Sequence, residues 1–454
     1  MNTLLIRNAK TVVTMDGKRR ILPNTSIYIV GNRIVEIQSK KKYADKVIDA
    51  RQMIVLPGFI NTHHHFFQSF MKHVPELQNQ RIDTWISIVS RLGKKMDERA
   101  YYYSSLIACI ELLQSGCTTT TDMHYLFPKS HDHLKIFSST VKAARELGIR
   151  FHPYRGSMSL SKKDGALFDD DVVETSQEIY DRTIETMKSF HQEKPDSMIK
   201  VGIGPCTIFT SSKRDYENAA QLAEIYNVNL QTHLSESTYE QAYAHKKHGM
   251  NPLTYLKTLG WNTNKASFVH CIELNSREIS TIAKQKSSVC HCPISNARSP
   301  LGQKGIAPIW EMLKAGVNIS IGVDGSAGND SSNILEEMRW ARTIQGVREK
   351  ATYLSPMDVL HMGTVGGARS LRWDNEIGSL EVGKCADIIL FETGTSAESV
   401  GVWDEVGALM SCQVRKAHTV IVNGEVVIQA GRFSRINEQD YVKEAQVYWE
   451  KTFT

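Results

Sequence analysis

The chain has 454 residues, with 54 Lys and Arg against 49 Asp and Glu for a formal net charge of +5, and 41% of its residues are hydrophobic and 23% charged. That length accommodates one large catalytic unit and a smaller satellite domain, and the ordinary composition excludes fibrous and disordered classes. Basic residues occur only in short runs such as Lys40-Lys41-Lys42, so nothing tracks a phosphate backbone and nucleic acid is not an expected partner. The segment Met1 to Arg7 carries neither the basic start nor the long apolar stretch of a secretion signal. Every apolar run is interrupted well short of the ~18 residues of a membrane span, so no membrane association is expected. Cysteines 109, 117, 206, 271, 290, 292, 385 and 412 follow no disulfide spacing. They read as reduced core thiols, which points to the cytoplasm.

Along the chain, short β-branched runs alternate with turn signals over residues 4–56: Leu4-Ile6, Thr11-Met15, Ser26-Val30, Ile34-Ile37 and Val47-Ile48. From about 59 to 373 the texture changes to short apolar strands separated by longer helical patterns, as repeated βα units require. Eight strands are expected: Gly58-Thr62, Thr118-Asp122, Arg150-Arg155, Lys200-Gly204, Asn229-His233, Ala266-Cys271, Ser288-His291 and Val317-Gly322. Eight such units suit an α/β fold, a (β/α)8 TIM barrel over 59–373. β texture returns in Ala386-Phe391, His418-Val422 and Glu425-Ile428, the last two joined by the hairpin signal Asn423-Gly424. Neither terminal segment has strands enough for its own core, so 1–58 and 374–454 are expected to build one composite β-sandwich domain.

The polar residues of interest fall just after the barrel strands, where such enzymes build their sites. His63 and His65 lie two apart, so in extended backbone both face one side while His64 faces the other. Two imidazoles on one side suit a shared metal; the plain alternative is a hydrogen-bonded histidine cluster. A third, His233, ends the Val228-Thr232 run and is followed by Glu236, placing a candidate ligand beside a candidate proton carrier. The plain alternative there is a helix start with Ser235 as cap and Glu236 favouring the dipole. His270 ends the next strand and Asp324 another, although Asp324-Gly325 also reads as an ordinary turn.

Taken together, Pro57-Gly58-Phe59-Ile60-Asn61-Thr62-His63-His64-His65, His233-Leu234-Ser235-Glu236, His270 and Asp324 resemble the signature of the amidohydrolase superfamily, over essentially the whole chain. The segment Gly378 to Asp387 is similar to that family's return from barrel to sandwich. The resemblance implies that His63, His65, His233 and Asp324 bind one divalent metal ion per chain, zinc or iron. It further implies that Glu236 shuttles a proton, with His270 and Asp324 as the other catalytic groups on the attacking water. A homodimer or higher homo-oligomer is the family habit.

Within the superfamily the chain resembles the purine, pterin and triazine aminohydrolases, and Tyr154-Leu160 and Gly322-Asn333 look like 8-oxoguanine deaminases. The implied reaction is hydrolytic deamination of an amino-substituted oxo-heterocycle, an 8-oxoguanine-like purine or isoxanthopterin-like pterin, with metal-activated water attacking the amine-bearing ring carbon and ammonia leaving. An s-triazine hydrolase releasing chloride or an alkylamine is the alternative, and the intact Glu236 favours the deaminase. A barrel that only binds or scaffolds would be expected to lack a ligand or Glu236. Gln68, His124 and Arg155 are expected at the barrel mouth as substrate contacts, and His291 and Asn296 resemble the loop that meets the substrate in purine deaminases. Arg155 also reads as a structural ion pair, and His124 or His291 as satisfied core histidines. The stretch Ala297 to Lys304 is longer than in relatives and puts 8-oxoguanine itself in doubt. Cys290-His291-Cys292 is not the thiolate zinc site of cytidine-type deaminases, because His-x-Glu with Pro-Cys-x-x-Cys is absent.

Overall fold

A computed structural model describes residues 2–298, 305–349, 354–395, 397–412 and 416–454. The chain opens with β1 (Thr3–Val13), β2 (Ile21–Val30), β3 (Arg33–Ile37), β4 (Lys46–Asp49) and β5 (Met53–Pro57). The two expected strands Leu4-Ile6 and Thr11-Met15 are one strand, bulged between Ile6 and Ala9 where Asn8 takes φ 56°. The bulge lets β1 serve two neighbours: its first half pairs parallel with β4 and its second with β5. β5, absent from the expected set, is buried at all five positions and so shows no alternation to mark it as a strand.

The barrel follows as β6 (Phe59–Asn61), β7 (Cys117–His124), β8 (Arg150–Ser157), β9 (Gly202–Pro205), β10 (Leu230–Leu234), β11 (Ala266–His270), β12 (Ser288–His291) and β13 (Asn318–Ile321). Each pairs parallel with the next. The ring closes where the Thr62 N–H donates to the Ile321 carbonyl at 2.9 Å and the Thr62 hydroxyl reaches Ser320 Oγ at 2.8 Å. Amphipathic helices wrap the ring, and capping boxes at Thr175/Glu178, Ser212/Asp215 and Asn275/Glu278 fix where three of them start. All eight strands run the same way, so the residues following them gather at one end of the barrel.

The chain then returns through β14 (Ile388–Glu392), β15 (Thr419–Val422), β16 (Glu425–Gln429) and β17 (Arg432–Phe433). β14 pairs antiparallel with β5, joining both termini in a nine-stranded sheet that encloses its own apolar cluster. The segment resembling the return from the barrel ends on Asp387, whose carboxylate receives Arg150 in a buried two-pronged pair at 2.9 and 3.1 Å. That pair pins the small domain to the start of β8. The final helix, Glu438–Phe453, departs from the expected sandwich. Its apolar face packs on the barrel instead, with Trp449 Nε1 donating to the Phe70 carbonyl at 2.9 Å and Tyr448 bonded to Asp97.

Candidate metal and catalytic centre

At the barrel's C-terminal end side chains from the end of β10 and from just after β6 and β13 converge. His63 Nε2 lies 3.2 Å from His233 Nε2 and 3.4 Å from Asp324 Oδ1, and His65 Nε2 lies 3.4 Å from the same oxygen. All four residues are buried or nearly so. A tetrahedral ion with bonds of about 2.0–2.2 Å sets its ligand atoms about 3.3–3.6 Å apart. The donor set therefore fits a divalent metal in both chemistry and spacing.

The other ring nitrogens explain why the lone pairs point inward. His63 Nδ1 donates to Gln231 Oε1 at 2.9 Å, and Gln231 is itself fixed by donating from Nε2 to the Thr62 carbonyl at 2.9 Å. His65 Nδ1 donates to the Met123 carbonyl at 2.9 Å, and His233 Nδ1 to the Cys206 carbonyl at 2.8 Å. With Nδ1 protonated in each ring, Nε2 is left unprotonated and directed at the common point. Gln231 and His233 stand two apart on β10, so strand parity was the signal for Gln231, which the sequence reading passed over. His64 faces away, with Nε2 2.9 Å from the Ser332 hydroxyl and Nδ1 accepting the His65 N–H at 2.8 Å.

Electrostatics mark the same point as a place for positive charge. Burial pulls the His65 imidazole down to about 3, with His63 adding repulsion, and burial likewise holds His233 well below its ordinary value. Burial also opposes the charged forms of His63 and Asp324, yet their mutual attraction wins: His63 is raised and Asp324 held well below the carboxylate range. Asp324 is oriented by the Ser295 hydroxyl, which donates to Oδ2 at 2.6 Å, and by the Gly325 N–H, which donates to Oδ1 at 2.7 Å.

Glu236 follows β10 and stands 3.7 Å from His270 Nε2 through Oε2. Burial, then the neighbouring Glu240 and Asp324 carboxyls, push Glu236 well above the carboxylate range, which favours its protonated form. Its backbone N–H donates to Glu240 at 2.9 Å. His270 Nδ1 donates to Asn296 Oδ1 at 2.8 Å, which leaves Nε2 as an acceptor facing Glu236 and Asp324.

A cavity opens directly over these groups. His65, His233, Glu236 and Asp324 form its floor, Gln68, Tyr125, Thr207 and Ser295 add polar atoms, and Ile82, Trp85, Ile86 and Phe168 form an apolar wall. No Lys or Arg is among the described residues lining it. Gln68 donates to the Tyr125 hydroxyl at 3.3 Å, and any side chain at Gly325 would collide with it.

The other expected substrate contacts lie outside this lining. His124 is fully buried, with Nε2 3.1 Å from the Leu126 carbonyl. Arg155 is buried too, its Nη2 2.6 and 2.8 Å from the two oxygens of Glu174 and its guanidinium 4.1 Å over Phe127, as the ion-pair reading had it. His291 is a buried ring with neither nitrogen hydrogen-bonded among the described residues, pulled down to about 3 by burial and then by His270. Asn296 reaches the site only through His270. Of the long stretch Ala297 to Lys304, residues 299–304 lie outside the described residues. Trp85, Ile86 and Phe168 belong to no motif; only the apolar spacing of the helix Ile82–Gly93 pointed to a buried face there.

Residues 54–427 match the model of the amidohydrolase family. The chain is 32% identical to 8-oxoguanine deaminase of Pseudomonas aeruginosa, over 93% of each sequence. It is 30% identical to 5-methylthioadenosine/S-adenosylhomocysteine deaminase of Thermoanaerobacter pseudethanolicus, over 94% of each. Among solved structures, atrazine chlorohydrolase of Arthrobacter aurescens, complexed with zinc, superposes with a TM-score of 0.93 at 29% identity, covering 98% of this chain and all of that one. The chain belongs to the amidohydrolase family and is a hydrolase acting on C–N bonds.

Proposed function

We propose that this amidohydrolase deaminates a neutral, amino-substituted oxo-heterocycle, an 8-oxoguanine-like purine or an isoxanthopterin-like pterin, releasing ammonia. The observation that carries the reading is Glu236: a buried carboxyl on the cavity floor, 3.7 Å from His270 Nε2, whose protonated form burial favours. Amine departure requires a proton, whereas chloride departure does not, and a neutral acid at this position supplies one.

One divalent ion per chain, zinc by preference, would be held by His63, His65, His233 and Asp324. Bound there, it would lower the pKa of a water and so furnish a nucleophile at neutral pH. His270, whose Nδ1 proton is committed to Asn296, has Nε2 free to accept a hydrogen bond and would orient the attacking water. Glu236 gives its proton to the ring nitrogen beside the attacked carbon. The resulting carboxylate would take one proton from the water and pass it to the departing amine, and the remaining hydroxyl proton would return to Glu236 as the carbon–nitrogen bond breaks and the ring carbonyl forms. Trp85 and Phe168 offer apolar surface to the ring faces, and Gln68 and Ser295 offer donors and acceptors to its edges. Among the described residues the lining offers no Lys or Arg to a phosphate. Free cysteines throughout support a reducing, cytoplasmic setting, and a homodimer or higher homo-oligomer is proposed on family habit.

The second reading, an s-triazine hydrolase, is favoured by the apolar wall, which suits alkyl arms, and by the chlorohydrolase likeness. An ammonia-release panel of 8-oxoguanine, guanine, isoxanthopterin, cytosine and amino-triazines, read beside chloride and alkylamine release from s-triazines, tests both. Ammonia from a purine or pterin is the expected result. Silence there, with chloride or alkylamine appearing, would overturn the proposal.

A further inference from the structure

Helix Ile334–Glu349 contains a fully buried acid, Glu337, which does not itself line the cavity. Its Oε2 accepts the Ile294 N–H at 3.2 Å, and its Oε1 accepts one amide hydrogen of Asn329. The other amide hydrogen of Asn329 goes to the Val323 carbonyl, immediately before Asp324. Ile294 immediately precedes Ser295, which donates to Asp324 Oδ2, and Asn296, which holds His270 Nδ1. A single carboxyl thus fastens both loops that aim Asp324 and His270.

We propose that Glu337 is a positioning residue for the metal centre, acting through Ile294 and Asn329 on Asp324 and His270. The role rests on the ligand set proposed above. Both oxygens of Glu337 face donors, so an amide in its place would present –NH2 to one of them and release one loop. Burial raises the Glu337 carboxyl well above its ordinary range, and the hydrogen bonds from the Ile294 N–H and the Asn329 amide oppose that shift.

The test is zinc affinity of the full-length protein by chelator competition, with wild type beside Glu337→Gln, Ser295→Ala and the double variant. Outer-layer partners of ligands typically change affinity about 10- to 100-fold. Glu337→Gln is expected to weaken zinc by that factor, and the double variant to be little weaker than the worse single one, because both changes act through Asp324. A general loss of stability would instead leave the two losses multiplicative. Should Glu337→Gln fail to fold, Asn329→Ala opens the same latch from the other side and is expected to show the same loss. Zinc affinity within twofold of wild type in either folded variant, or multiplicative losses, would overturn the positioning role. Wild-type protein that binds no zinc would overturn the metal centre itself and this role with it.

Discussion

Replacing Glu236 by Gln separates the proton carrier from the metal ligands. The side chain is 6% exposed, burial favours its protonated form, and Gln matches that form in size and shape, so the cavity should be undisturbed. The ligand set His63, His65, His233 and Asp324 does not include it, so zinc content should stay at the wild-type level. Turnover should fall about 10²- to 10⁴-fold, the usual share of a positioned general acid and base, or about 3–5.5 kcal/mol of barrier. A second readout comes from stability. The folded pKa of Glu236 is raised, so its contribution to stability is fully present below the unfolded pKa and is lost as pH rises through the folded one. Ionisation in the unfolded chain therefore penalises wild type from about pH 4.5 upward, by about 1.4 kcal/mol for each pH unit until the folded pKa is reached. Metal-stripped Glu236→Gln should melt above wild type at pH 7 and together with it near pH 4. Ammonia assays, metal analysis and melts at the two pH values check these outcomes. Wild-type turnover in Glu236→Gln would refute the acid's role, and coincident melting at pH 7 would refute its raised pKa.

Within the histidine run, His65→Ala should abolish tight zinc binding, whereas His64→Ala should keep zinc and lower stability by about 1–3 kcal/mol, since the His65 N–H loses its buried acceptor; metal analysis and denaturant melts distinguish them. Arg155→Met should cost about 3–5 kcal/mol by leaving Glu174 with Arg182 alone, while KM in the folded fraction stays within twofold of wild type. A tenfold rise in KM there would make Arg155 a substrate contact after all. Trp85→Ala should raise KM by about tenfold through about 1.4 kcal/mol of lost ring contact, with kcat little changed, in steady-state assays on whichever substrate the panel identifies.

The barrel was legible because parallel strands buried on both sides leave short apolar runs between helical patterns, and all eight appeared close to their expected limits. The small domain was legible as β texture at both ends, but β5 was not, since a strand buried at every position lacks alternation. The histidine run was legible through parity, which separates His63 and His65 from His64 before any coordinates exist. Parity ends where the strand does. His124 closes β7 and turns toward Leu126, while Tyr125, one residue on, lines the cavity. Arg155 was out of reach for another reason: its partner Glu174 lies in a connection 19 residues on, and no spacing rule ties the two.

The same division explains why family was readable and substrate was not. Ser235, His270, Cys271 and Asp324 all hold positive φ without being glycine, each costing on the order of 1 kcal/mol. The barrel secures them by bonds between neighbouring strand ends: Asp324 N–H to the His63 carbonyl at 3.1 Å, Cys271 N–H to the Leu234 carbonyl at 3.0 Å, Glu273 N–H to the Ser235 carbonyl at 2.9 Å. Ring closure thus carries the strain, and the positions of the proposed ligands follow from the barrel strand ends. Chemistry fixed in that way needs particular residues at particular strand ends, and such residues stand out in a sequence. The wall that meets the substrate comes from elsewhere, from the helix bearing Trp85 and the connection bearing Phe168. Any apolar residue of suitable size fills those places without disturbing the metal centre, so they bear no fixed motif. Relatives of about 30% identity accordingly include an 8-oxoguanine deaminase and a 5-methylthioadenosine/S-adenosylhomocysteine deaminase.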